Sequence, residues 1–131
     1  MKWVHAALLM IVVSAPVLAH HSFAAEFDRK KPVTLKGTVT RLDWQNPHAR
    51  MYMDVVDSAG KLINWEFELA SPNSLMLAGW TRKSVQAGDK ITVEGFLAKD
   101  GSRLANANKV TTADGKRILT DQTSPDAPAA K

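Results

Sequence analysis

The chain has 131 residues, 45% of them apolar and 23% charged, with a formal charge of +4. That is one domain with room for a real core, and the surplus is too small for the electrostatic footprint of a dedicated nucleic-acid binder. Cysteine is absent, which excludes a disulfide framework, a lipid-modified N-terminal Cys, a thiolate metal site and a Cys nucleophile.

The first element is a leader. Lys2 supplies a positive start, Val4 to Val13 is an almost unbroken apolar run, and Ser14, Pro16 and Val17-Leu18-Ala19 follow. This order of charge, apolar stretch and Ala-ended site is that of a secretory signal peptide. The run falls short of the ~20 apolar residues that span a membrane. Residues 1–19 are therefore expected to be removed after Ala19, with Ala24 the second choice. The working chain then begins at His20, is periplasmic or secreted, and keeps no membrane span. Residues 20–31, polar apart from Phe23 and Phe27, read as an N-terminal arm, and Thr120 to Lys131 (TDQTSPDAPAAK) reads as a disordered tail.

Residues 32–119 carry a period close to two, which means strands. Val33, Leu35, Gly37 and Val39 share one parity, and Leu42 and Trp44 the other. A switch of parity inside one run predicts a bulge or sharp bend, and Gly37 permits one. Ala49, Met51, Met53 and Val55 alternate with Arg50, Tyr52 and Asp54. After the turn Asp57-Ser58-Ala59-Gly60, Ile63, Trp65, Phe67 and Leu69 alternate with Asn64, Glu66 and Glu68, which predicts a hairpin. Ser71-Pro72 opens a short helix, Leu75, Met76 and Leu77 fill it, and Gly79 suits its end. A fourth strand runs from Ile91 to about Ala98, a tight turn follows at Asp100-Gly101, and a fifth strand covers Ala105 to Thr112. Lys116 to Leu119 offers one more short pairing. Three strands, a helix and two strands, the first of them bent, predict an all-β fold with one short helix: a small five-stranded OB-like barrel.

Several segments together have a familiar form: His20-His21-Ser22-Phe23, Leu35-Lys36-Gly37-Thr38-Val39, Trp44-Gln45-Asn46-Pro47-His48, Asn64-Trp65-Glu66-Phe67-Glu68 and Gly79-Trp80-Thr81. They resemble a family of small exported bacterial proteins of unknown function, domain-of-unknown-function family 6152, over nearly all of the mature chain. The resemblance implies export and a small β-barrel and brings no ligand, partner or activity with it. A weaker likeness is to the periplasmic OB-fold copper chaperone of copper and silver efflux systems, which holds Cu(I) with two Met, a His and a Trp. Here Met51, Met53, His48, Trp44 and Trp65 are of those types. In that chaperone, however, the Met pair follows its Trp on the third strand, whereas here it lies on the second. The likeness implies a metal without placing it.

Four candidate sites follow from residue chemistry. Cleavage after Ala19 would leave His20 with a free α-amine and an imidazole, a chelating pair for Cu(II), and His21 or His48 could add a nitrogen. The plainer reading is the start of an arm. Met51 and Met53, two apart on one strand face near His48, form a soft cluster of the kind that selects Cu(I). Their shared parity with Val55 reads more simply as core packing. Arg50, Tyr52, Glu66 and Glu68 lie opposite the core beside the loop Asn46-Pro47-His48, where barrels of this type often bind ligands. The plainer reading is a solvated face with cross-strand charge pairs. Glu66 and Glu68, ~7 Å apart on one face, have the spacing of a carboxylate pair, but no pocket signature, nucleophile elbow or phosphate loop accompanies them. Trp44, Trp65 and Trp80 read as core or rim packing. The function expected is a non-enzymatic binding or accessory module of unknown ligand, with another envelope protein or a metal ion as partner. The alternative is a copper-binding protein using His20 with His21, His48, Met51 or Met53, copper being the only cofactor in view.

Overall fold

Alternating side chains between residues 33 and 69 bury one face of each strand and so fix which edges can pair. The computed structural model describes residues 23–115, with 117–120 as backbone. Residues 1–22, which include the expected leader with His20 and His21, lie outside them, as do Lys116 and residues 121–131, most of the expected tail. The elements are α1 (Phe23–Glu26), β1 (Phe27–Asp43), β2 (Arg50–Val56), β3 (Leu62–Glu68), α2 (Pro72–Leu77), β4 (Lys90–Ala98), β5 (Leu104–Thr112) and β6 (Arg117–Thr120). The molecule is thus mostly β, and among the described residues no helix is long and apolar enough to cross a membrane.

β1 pairs antiparallel with both β2 and β4, β2 with β3, and β4 with β5. β3 also lies parallel to β5 through Glu66–Leu104, Phe67–Ala105 and Glu68–Asn106. The pairings therefore run round a closed circuit, β1-β2-β3-β5-β4-β1, with β6 attached outside it on β5. Inside lie Val39, Met51, Met53, Phe67, Val93 and Val110, joined by Leu75, Trp80 and Val85 from the segment between β3 and β4. Each large apolar side chain buried this way contributes about 1.5–3 kcal/mol.

The irregularity expected in the first strand is present, but at another residue. Val39 pairs with Met53 and Arg41 with Tyr52, so Thr40 is the extra residue, and the inward parity passes from Val39 to Leu42. Gly37 has a different task. A Cβ there would stand 2.2 Å from the Asp54 carbonyl oxygen, so glycine is what lets β2 approach.

α2 starts as expected. Ser71 caps it, its Oγ accepting from the Ser74 amide at 3.2 Å, and Pro72 takes the first turn. Of Leu75, Met76 and Leu77, only Leu75 is buried. Met76 and Leu77 are 54% and 83% exposed, because consecutive helical residues point about 100° apart and a helix this short packs one face. Residues 23–31, read as an arm, form α1 and the start of β1. Phe23 and Phe27 are buried against Ala98, with Phe96 and Leu104 beside them, as a second small core outside the circuit. Their rings stand 5.4 Å apart, and the Lys99 amide donates to the Glu26 carbonyl at 2.9 Å.

Candidate functional site

Arg50, Tyr52, Glu66 and Glu68 share one face of β2 and β3, because Arg50 stands opposite Glu68 and Tyr52 opposite Glu66. Their polar groups engage one another. The Arg50 guanidinium reaches Glu66 Oε1 at 2.6 Å and Glu68 Oε2 at 3.2 Å. The Arg41 guanidinium lies 4.0 Å over the Tyr52 ring and pairs with Asp43 at 3.0 Å. Further along, the Asn64 amide donates to Asp54 Oδ1 at 2.8 Å. The face is a ladder of cross-strand pairs.

One rung departs from the solvated face expected. Glu68 is only 8% exposed. The parallel contact with β5 sets it beside Asn106, itself 2% exposed, and no local alternation predicts a contact between residues so far apart in the chain. Burial pushes the Glu68 carboxyl above the usual carboxylate range. His48 and Arg50 pull it back, while Glu26 of α1 and Glu66 add to the rise.

His48 sits in the β1–β2 loop, behind a cis Asn46–Pro47 bond. Its Nε2 is 3.9 Å from Glu68 Oε1, and its buried Nδ1 has no hydrogen-bond partner among the described residues. Met51 and Met53 are fully buried, among the core side chains. Residues of opposite parity on β2 thus meet different worlds: the sulfurs face the core and Arg50 and Tyr52 face the ladder. His20 and His21 lie outside the described residues. Among those described, no group of three or more His, Asp or Glu is arranged to hold a metal ion.

The feature that sequence reasoning missed lies beside α2. Trp44 from the β1–β2 loop, Met76 from α2, and Trp80, Thr81, Arg82 and Lys83 from the segment after it line a groove of about 460 Å³ whose walls are mostly apolar. Trp80 is 2% exposed, and its indole N–H has no partner among the described residues. The cationic edge is tied down by its own loop. The Thr81 amide donates to Ser84 Oγ at 2.8 Å, and the Lys83 amide to Thr81 Oγ1 at 3.1 Å. The only sign of this groove in the sequence is that Met76 and Leu77 exceed what one helical face can bury.

The profile of a known family matches residues 7–107, which is most of the chain. The protein belongs to the DUF6152 family, a family of unknown function. No curated protein matches it. The DUF6152 assignment agrees with the motifs that suggested it, and it leaves function to be argued from the two surfaces above. On one, charges meet each other. On the other, an apolar groove is bordered by two cations, Arg82 and Lys83, that meet no carboxylate among the described residues.

Proposed function

We propose that the protein is an exported, non-enzymatic binding module built on a small OB-like barrel. The barrel reading is supported by the closed circuit of pairings with a helix inserted between β3 and β4, the arrangement of OB-type folds. Export is supported by the leader pattern of residues 1–19. The observation that carries binding is the groove of Trp44, Met76 and Trp80: a concave, largely apolar site with a few polar groups at its edge is the usual form of a small-molecule site. Native mass spectrometry of protein recovered from the envelope of the producing cell tests both halves. A chain beginning at His20 and carrying an organic adduct is expected. A full-length cytosolic chain overturns export, and a chain that carries nothing in any preparation overturns binding.

A second reading, a periplasmic copper-binding protein, draws on His48. Its Nδ1 has no partner among the described residues, and Glu26 of α1 acts on the Glu68 carboxyl beside it, so the segment that His20 and His21 lead into runs near that imidazole. In this reading the His20 amine and imidazole bind Cu(II), with His21 or His48 completing the set, and the fully buried Met51 and Met53 stay in the core. Cu(II) titration of the mature chain against one with an extra residue ahead of His20 tests it. A weaker complex in the extended chain is expected, and equal affinity removes the idea.

A further inference from the structure

We propose that the groove beside α2 takes a small molecule with a flat apolar body and one anionic group, the body lying against Trp44, Met76 and Trp80 and the anion held at Arg82 and Lys83. The inference rests on the binding-module reading and adds the chemical class of ligand.

Met76 is 54% exposed on a helix whose inward residue, Leu75, is already buried, so its side chain is surplus to the core. It stands with two tryptophans in a groove of about 460 Å³, the size range of small-molecule sites. Aromatic side chains bind flat apolar bodies through large contact area and offset stacking, at little cost in side-chain entropy. Leu77, 83% exposed, extends the apolar surface of α2.

Charge supplies the second half. Arg41, Arg50 and Lys109 each pair with a carboxylate. Arg82 and Lys83 line the groove and have no carboxylate within ion-pair distance among the described residues. Two adjacent cations at the edge of an apolar groove favour an anion there, and the low-dielectric wall strengthens the attraction relative to open water. The hydrogen bonds within residues 81–84 hold this edge in shape before any ligand arrives, which lowers the ordering cost of binding. Trp80 adds a buried indole N–H with no acceptor among the described residues, a polar group that native interiors ordinarily satisfy.

Two dyes with the same ring system separate the parts of the proposal: anilinonaphthalene sulfonate, which is anionic, and phenyl-naphthylamine, which lacks the sulfonate. Their fluorescence is titrated against the mature, folded protein. Saturable single-site binding of the sulfonate is expected, tighter by about two- to fivefold than that of the neutral dye, the range of an exposed ion pair. Arg82→Gln with Lys83→Gln should remove that advantage and leave the neutral dye unchanged. Met76→Glu, a surface change that spares the core, should weaken both. Equal affinity for the two dyes overturns the anionic ligand while the binding-module reading stands. Binding of neither dye overturns the groove as a small-molecule site. Sedimentation in parallel tests the rival occupant: a dimer that excludes the dye as concentration rises assigns the groove to a second copy and overturns the proposal.

Discussion

On the outer face of β2 and β3 the charged groups find partners on the same face: Arg50 is held between Glu66 and Glu68, and Arg41 covers Tyr52 while pairing with Asp43. In the groove beside α2, Trp80 belongs to the core while Trp44 is partly buried and Met76 is exposed, and Arg82 and Lys83 meet no carboxylate among the described residues. The first surface looks more chemical in sequence, since it gathers Arg, Tyr and Glu. Yet its groups already satisfy one another, and a ligand would have to compete with bonds that exist. The second surface looks like packing in sequence, yet it has capacity left. What distinguishes a binding surface is the interactions its groups still lack.

Trp80 serves both the groove and the core, so Trp80→Ala should cost about 3–5 kcal/mol in guanidinium unfolding. A loss near zero would remove Trp80 from the core. On the ladder, Arg50→Ala leaves the Glu68 carboxyl, 8% exposed, without its cation, and should cost about 1–3 kcal/mol. Most of that should return when Glu68→Gln is added, as a double-mutant cycle would measure.

Glu68→Gln alone sharpens the picture through pH. The folded-state carboxyl is raised by burial, so the folded chain holds that proton more tightly than the unfolded one. The stability linked to it is complete at low pH and is lost as pH rises through the raised value. As pH rises from the ordinary carboxylate range through the raised value, the wild type should therefore fall in stability relative to the Gln variant. A gap that moves the other way would mean that the ladder stabilises the charge more than burial penalises it. The smallest effects belong to the groove's edge. Met76→Glu and Arg82→Gln alter exposed side chains and should change stability by no more than about 0.5 kcal/mol, however strongly they change dye binding.

Local pattern carried much of the fold. Alternation through Met51–Val55 and Ile63–Leu69 marked the inward faces, Ser71-Pro72 marked the start of α2, and Asp100-Gly101 marked a turn in which the Asp100 carboxylate accepts from the Ser102 amide at 2.9 Å. What was not legible depends on distance along the chain. The parallel contact of β3 with β5 buries Glu68, and nothing within either strand announces it. The same holds for Phe23 and Phe27, two apolar residues in a polar arm whose partners, Phe96, Ala98 and Leu104, lie on β4 and β5. Gly37 was visible as an oddity in a strand and assigned to a bend. The close approach of Asp54 that demands it is a property of the pair of strands. The groove was hidden for a related reason, because three consecutive apolar residues on a short helix look like core until the helix's single buried face is known.

The central claim is that ligand capacity lies beside α2 and not on the ladder. Amide and indole chemical-shift changes in isotope-labelled protein spanning residues 20–131, on adding anilinonaphthalene sulfonate, test it most directly. Shifts are expected to concentrate at the Trp44 and Trp80 indoles and the amides of Met76 and Thr81 to Lys83, with Arg50, Tyr52, Glu66 and Glu68 unmoved. Shifts concentrated on β2 and β3, with the tryptophans unmoved, would contradict it.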